Sequence, residues 1–259
     1  MDKTLSIQLY TVRDKISTPE ETAQTLKALA SYGFTGVQTA CITTEEAVND
    51  FAKAAKAAGL KIIGTHINPD VLEDTEKAVR IHNTLGTTNA GIGGLPAIFR
   101  PDCTKELFLE GIERMMRIAD KLYEKGFKFT YHHHSAEFAR ITPTETAMDI
   151  IVREFDPKKI SFVLDTYWLN NGGVDVCEWI EKLAGRVDIL HLKDKAVTLG
   201  QMDGHITELG AGNLNFKRIL EVAEASGVQY LCYEQDNNFA TDSLASAKQS
   251  AEYFYSIVK

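Results

Sequence analysis

Three consecutive histidines and a nearby carboxylate stand in Tyr131-His132-His133-His134-Ser135-Ala136-Glu137. Imidazole and carboxylate are the usual ligands of zinc, manganese and similar divalent ions. The run follows an apolar-aromatic stretch, where a short strand should end. Strand side chains alternate between two faces, so His132 and His134 share one face if the strand persists, and His133 takes the other. A polar loop with a chance histidine run is the competing reading. Further ionisable or amide groups recur along the chain: Gln8 and Tyr10, His66, Asp165, His191 with Lys193 and Asp194, and Glu234 with Asp236. Carboxylates such as Glu137, Asp165 and Glu234 in one small volume would repel one another unless a cation sat among them.

The elements that must position these groups alternate strand and helix. Leu5, Ile7 and Leu9 fall on one face of a first strand ending at Tyr10. Thr18-Pro19-Glu20-Glu21 opens a helix with a capping box and proline at its first turn, and Gly33 closes it. Strands follow at 34–40, 61–66, 87–91, 127–132, 160–165, 187–192 and 228–234. Helices are expected from Thr43-Thr44 to Gly59, over 70–85 and 104–124, from Thr142-Pro143-Thr144-Glu145 onward, and over 174–183, 213–225 and 241–257. Eight strand-helix units without a linker predict parallel pairing and a closed (β/α)8 TIM barrel, one α/β domain spanning residues 1–259. An open doubly wound sheet would carry a glycine-rich turn after its first strand, and Thr11-Val12-Arg13-Asp14-Lys15 has none. In a barrel, the polar groups above all lie at the C-terminal ends of strands, the end where barrel active sites form.

Composition narrows the partners. The 259 residues are 44% hydrophobic, enough for a sizeable core, and carry a net charge of −8. That balance gives no electrostatic help to nucleic-acid binding. Cys41, Cys103, Cys177 and Cys232 form no CxxC pair, and reduced, mostly buried thiols suit a cytoplasmic setting. Asp2 and Lys3 lead directly into a strand where a secretory leader would stand, and no apolar run approaches membrane-span length.

The chain resembles the xylose isomerase-like TIM barrels, the sugar phosphate isomerase/epimerase family that includes inosose dehydratase and the ketose 3-epimerases. The resemblance runs from Ser6-Ile7-Gln8-Leu9-Tyr10-Thr11-Val12-Arg13-Asp14 through Tyr131-His132-His133-His134-Ser135-Ala136-Glu137-Phe138, similar to a YHNHxxEF pattern. It continues in Leu164-Asp165-Thr166-Tyr167-Trp168, His191-Leu192-Lys193-Asp194, Glu208-Leu209-Gly210-Ala211-Gly212 and Tyr233-Glu234-Gln235-Asp236. It implies a divalent ion (Mn, Mg, Co, Fe or Zn) held by Glu137, Asp165, His191 and Glu234. Two departures bear on this. His133 replaces the pattern's asparagine, so His132 or His134 could replace or join Glu137, and Ala211 replaces a glutamate of ELGEG-like versions.

Such a metal would polarise a substrate carbonyl and acidify the neighbouring C–H, with Glu137 and Glu234 as flanking acid–base groups. Lys193 could stabilise an enolate, or could simply pair with Asp194 or Glu208. Gln8, Tyr10, His66, His132 and His134 would face hydroxyls or stand behind the ligands, and Trp168 and Phe99 could pack on a sugar ring. His133 is expected to have no catalytic part. The expected activity is isomerisation or epimerisation of a sugar-like small molecule, with dehydration of an inosose or 3-keto sugar as the alternative. A nuclease of the same fold and a non-catalytic sugar-binding barrel are the other readings. A homo-oligomer is expected; nucleic-acid and membrane partners are not.

Overall fold

The computed structural model describes residues 3–40, 42 and 44–258 of the chain. Cys41 and Thr43, which figured in the sequence reading, lie outside these residues. Eight parallel strands wind into a nearly closed barrel with helices between them. The strands are β1 (Leu5–Gln8), β2 (Phe34–Ala40), β3 (Lys61–His66), β4 (Asn89–Ile92), β5 (Lys128–His132), β6 (Ile160–Asp165), β7 (Val187–Leu192) and, after a two-stranded insertion, β10 (Tyr230–Tyr233). Their order is β3-β2-β1-β10-β7-β6-β5-β4, and the seven pairings along it are all parallel, as expected. The seam between β3 and β4 closes through Ile67 N–H to Gly91 O at 2.8 Å and Asn89 Nδ2 to Ile63 O at 2.9 Å. Gly91 permits this approach, because a Cβ there would collide with Thr130 Oγ1 and the Thr65 carbonyl.

Local chemistry sets the helices. In α1 (Pro19–Ser31), Thr18 Oγ1 accepts from Glu21 N–H and the Glu21 carboxylate accepts from Thr18 N–H, which satisfies two donors the helix leaves open. Gly59 and Gly86, both left-handed, stop α2 (Glu45–Ala58) and α4 (Thr75–Leu85), and a short α3 (Pro69–Glu73) precedes α4. The long α5 (Lys105–Glu124) buries Phe108, Ile112, Met115, Ile118 and Leu122 against the sheet at helical spacing. Each such side chain contributes about 1.5–3 kcal/mol.

Several boundaries differ from the sequence reading. The helix expected from Thr142 begins at Ala147 instead, as α6 (Ala147–Glu154). A second capping box, Thr146 with Asp149, forms there, while Thr142 Oγ1 accepts from the N–H groups of Thr144 and Glu145 and holds a turn. Strand four is Asn89–Ile92, two residues later than its expected start. A short α7 (Thr166–Asn171) follows β6 at once, ahead of α8 (Val176–Lys182). The stretch after β7 folds as an antiparallel hairpin of β8 (Asp194–Val197) and β9 (Gly204–Thr207). The chain then continues through α9 (Phe216–Ala225), capped by Asn215, and after β10 ends in α10 (Ser243–Ile257).

The main core lies between sheet and helices. A separate small cluster, Ile63, Val163, Ile189 and Cys232, lies apart from it. Val163, Ile189 and Cys232 stand two residues before Asp165, His191 and Glu234. The two-residue period of a strand therefore puts these three polar groups on the same face as that cluster, one layer nearer the C-terminal end. Asp165 lies opposite His191 in the β6–β7 register, and Cys232 opposite His191 in the β10–β7 register.

Candidate metal centre at the barrel mouth

His132, Asp165, His191 and Glu234, all buried, bring His132 Nε2, Asp165 Oδ2, His191 Nδ1 and Glu234 Oε2 within 4.8 Å of one another. His191 Nδ1 is 2.9 Å from Glu234 Oε2 and 3.7 Å from Asp165 Oδ2, and His132 Nε2 is 3.6 Å from Asp165 Oδ2. None of these four atoms has an aligned hydrogen-bond partner. Buried polar atoms are normally hydrogen-bonded, so four that lack an aligned bond and face one point form a donor set suited to a cation.

The other ends of these side chains are tied down. His132 Nδ1 lies 3.2 Å from Gly93 O, and His191 Nε2 lies 2.6 Å from Gln38 Oε1, so each ring's outer nitrogen donates and its inner nitrogen faces the centre. Gln38 also accepts from Gln8 Nε2 at 3.0 Å, and Gln8 lies 3.1 Å from His66 Nδ1. Asp165 divides its oxygens: Oδ1 accepts from Trp168 N–H at 3.0 Å and caps α7, while Oδ2 faces the centre. His133, on the other strand face, accepts the Asp165 N–H at Nε2 and donates from Nδ1 to His134 O, which positions the ligand strand from behind.

Glu137 does not join this group. A 3-10 turn over Ser135–Phe138 folds it back, and its carboxylate accepts from Tyr131 OH at 2.9 Å and from His134 N–H at 3.0 Å. Burial pushes its pKa up to about 7. In the group of four that converges, His132 stands beside Asp165, His191 and Glu234, and Glu137 is not a member.

Lys193 is fully buried, and its Nζ lies 3.0 Å from Asp165 Oδ2, 2.9 Å from Glu234 Oε2 and 3.0 Å from Asp236 Oδ2. The alternative pairings with Asp194 or Glu208 are not formed. Asp194 instead accepts backbone N–H bonds from Lys195, Gly210, Gly212 and Leu214, and Glu208 accepts from Ser246 Oγ and Ala240 N–H. Burial opposes charge on Asp165 and Glu234, but the Lys193 ammonium and neighbouring histidines hold both well below the usual carboxylate range. Burial also opposes charge on His191, and Glu234 and Asp165 outweigh it, raising that imidazole well above its ordinary value. At His66 and His134 the pull of Glu234 and Asp165 is outweighed. Burial, reinforced by His132, keeps both neutral, with His134 down to about 2.

A cavity of about 470 Å³ opens over the cluster, lined by Tyr10, His66, Phe99, His132, His134, Trp168, Lys193, Glu234 and Asp236 among others. His66 Nε2, His134 Nδ1 and Trp168 Nε1 are buried without partners in the protein. The rings of His134 and Trp168 lie 5.0 Å apart, as do those of His134 and Phe99. Of the expected substrate-facing residues, Tyr10, His66, His132, His134 and Trp168 line the cavity, while Gln8 stands behind His66. Gln38 was not singled out by the sequence reading, and Asp236 was noted there without a role. Gln38 pairs in register with Gln8, so a polar residue at the matching position of the second strand was the available signal.

A model of the xylose isomerase-like TIM barrel family matches residues 26–257, and the chain belongs to that family. An inosose dehydratase of Geobacillus thermodenitrificans is 30% identical over 143 residues, which cover 50% of this chain and 47% of that protein. The chain thus spans about half the length of the inosose dehydratases it matches. Among solved structures, a sugar phosphate isomerase/epimerase from Parabacteroides distasonis superposes with a TM-score of 0.78 at 23% identity, covering 98% of this chain and 93% of that one. A xylose isomerase-like TIM barrel protein from Mycobacterium smegmatis, in complex with magnesium, gives 0.70 at 16% identity over 98% and 96% of the two chains.

Proposed function

We propose that the chain is a metal-dependent enzyme that removes a proton beside the carbonyl of a polyhydroxy ketone and expels the β-hydroxyl, a dehydration of the inosose type. The observation that carries the reading is the convergence of four buried ligand atoms without an aligned hydrogen bond, His132 Nε2, Asp165 Oδ2, His191 Nδ1 and Glu234 Oε2, under an aromatic-walled cavity. Two imidazoles and two carboxylates suit Mn, Fe, Co or Zn better than Mg, which prefers an all-oxygen set. Bound there, such an ion supplies Lewis-acid polarisation of a chelated carbonyl.

The protein's own groups supply the rest. Lys193 lies at the cavity wall, where its ammonium can meet an oxygen that gains charge as the enolate forms. Glu234 and Asp236, on the same wall, are the carboxylates placed to accept the proton. The unpartnered His66 Nε2, His134 Nδ1 and Trp168 Nε1 bind substrate hydroxyls, and Trp168, Phe99 and Tyr10 cover ring faces. Among the described residues Lys193 is the sole lysine or arginine lining the cavity, and three carboxylates surround it, so an unphosphorylated substrate fits better than a phosphorylated one.

Isomerisation or epimerisation is the second reading. Epimerisation needs acid and base on opposite faces of the substrate, and Glu137 leaves the mouth with its carboxylates on one wall. That arrangement, with the inosose dehydratase relationship, favours elimination. The test is incubation of the metal-loaded protein in D₂O with inososes, ketoses and aldoses. Loss of water with deuterium at the carbon that carried the departing β-hydroxyl, taken up as the enol product ketonises, supports the proposal. Exchange without water loss turns it to isomerisation, and no exchange with any substrate sinks it. Asp165→Asn is expected to weaken metal binding at least about 100-fold, read by calorimetry.

A further inference from the structure

The largest fully buried side chains are aromatic or aliphatic except one, Lys193. A buried ammonium is costly unless paired, and this one touches Asp165 Oδ2, Glu234 Oε2 and Asp236 Oδ2, at 3.0, 2.9 and 3.0 Å. The first two oxygens are also members of the four-atom cluster. The third is not, and only the contact to Asp236 is an aligned hydrogen bond. The same Nζ also lies 5.2 Å from the Trp168 ring, a second cation-stabilising contact at the cavity wall. Lys193 thus has two contacts that a bound ion would also claim and two that it would not.

We infer that Lys193 is a built-in competitor of the metal: its ammonium balances Asp165 and Glu234 in the metal-free protein, and Asp236 with the Trp168 face retains it at the cavity wall once those two oxygens are taken. The inference rests on the metal-centre reading above. Two cations in contact with one pair of buried oxygens repel strongly, because little solvent screens them. The lysine therefore sets metal affinity below what the four ligands alone would give, and it supplies charge opposite Asp165 and Glu234 in the metal-free barrel. Loading also turns the ammonium toward the substrate space, so its role in binding a substrate oxygen depends on the ion being present. Asp236 is a positioning residue here, acting through Lys193.

Chelator-stripped wild type, Lys193→Met, Asp236→Asn and the double variant are titrated with Mn²⁺ by calorimetry. Lys193→Met is expected to bind at least about tenfold more tightly than wild type. Asp236→Asn is expected to bind more weakly, and that loss is expected to disappear in the Lys193→Met background, because the two residues act through one contact. In urea, metal-free Lys193→Met is expected to unfold at a lower midpoint than metal-free wild type, with the gap closing at saturating Mn²⁺. Wild-type binding with equal or weaker binding by Lys193→Met would overturn the lysine inference and leave the metal centre standing. No binding by any of the four proteins would overturn the metal centre itself. Should metal-free Lys193→Met not fold, Asp236→Asn decides the matter, since binding as tight as wild type or tighter contradicts the inference.

Discussion

At Asp165 the two carboxylate oxygens do different things: one caps α7 and the other faces the metal cluster. A similar division appears in the histidines, whose outer nitrogens are fixed by Gly93 O and Gln38 Oε1 while the inner ones face the cluster. Gln38 shows how much depends on a group that touches no substrate. Gln38→Leu removes the acceptor that sets the His191 tautomer, and metal affinity is expected to fall about 10–100-fold while far-UV circular dichroism stays unchanged. Asp165, His191 and Glu234 were legible in the sequence because each ends a strand, where a two-residue period and a barrel topology fix the direction of the side chain. Glu137 was not. Two residues of turn, Ser135 and Ala136, separate it from His134, and a turn carries no such period, so its return to Tyr131 could not be read from spacing.

Elements with strong local chemistry were read correctly: the Thr18–Glu21 capping box and the stops at Gly59 and Gly86 appear as expected. The β8–β9 hairpin was not anticipated, because its anchor is a long-range contact. Asp194, at the hairpin base, accepts four backbone N–H bonds, three of them from Gly210, Gly212 and Leu214. Gly212 is required there, since a Cβ would strike the Asp194 carboxylate and the Lys195 carbonyl. Asp194→Ala leaves those donors unpaired and is expected to cost about 2–3 kcal/mol, measured by urea unfolding. Hydrogen exchange should rise first over 194–214 and leave the protection of β1 to β6 unchanged.

For the whole molecule, the closed parallel barrel places buried ionisable groups on one face and isolates others. His82, far along the chain from the ligands, donates from Nδ1 to Ala78 O at 2.7 Å and accepts at Nε2 from Thr65 Oγ1 at 2.9 Å. Burial lowers its pKa. Unfolding lets it take a proton near pH 6.5, so the unfolded state binds more protons below that pH and stability is lost as pH falls. Glu137, raised to about 7, has the opposite sign, favouring the folded state as pH drops from there. The His82 contribution therefore has to be isolated by difference. His82→Gln is expected to flatten the fall in urea-derived stability between pH 6.5 and 5.5 by about 1 kcal/mol; an unchanged slope would show that His82 protonates equally in both states. The four-residue cluster proposed to hold a metal is a product of this same closure, since His132 ends β5, Asp165 ends β6, His191 lies on β7 and Glu234 directly follows β10.

That cluster is tested most directly by counting metal. Wild type, His132→Ala and Glu137→Gln are loaded with Mn²⁺, desalted and assayed for bound ion per chain. One ion is expected on wild type and on Glu137→Gln, and loss of it on His132→Ala. Retention by His132→Ala with loss from Glu137→Gln would contradict the assignment of His132, rather than Glu137, as the fourth ligand.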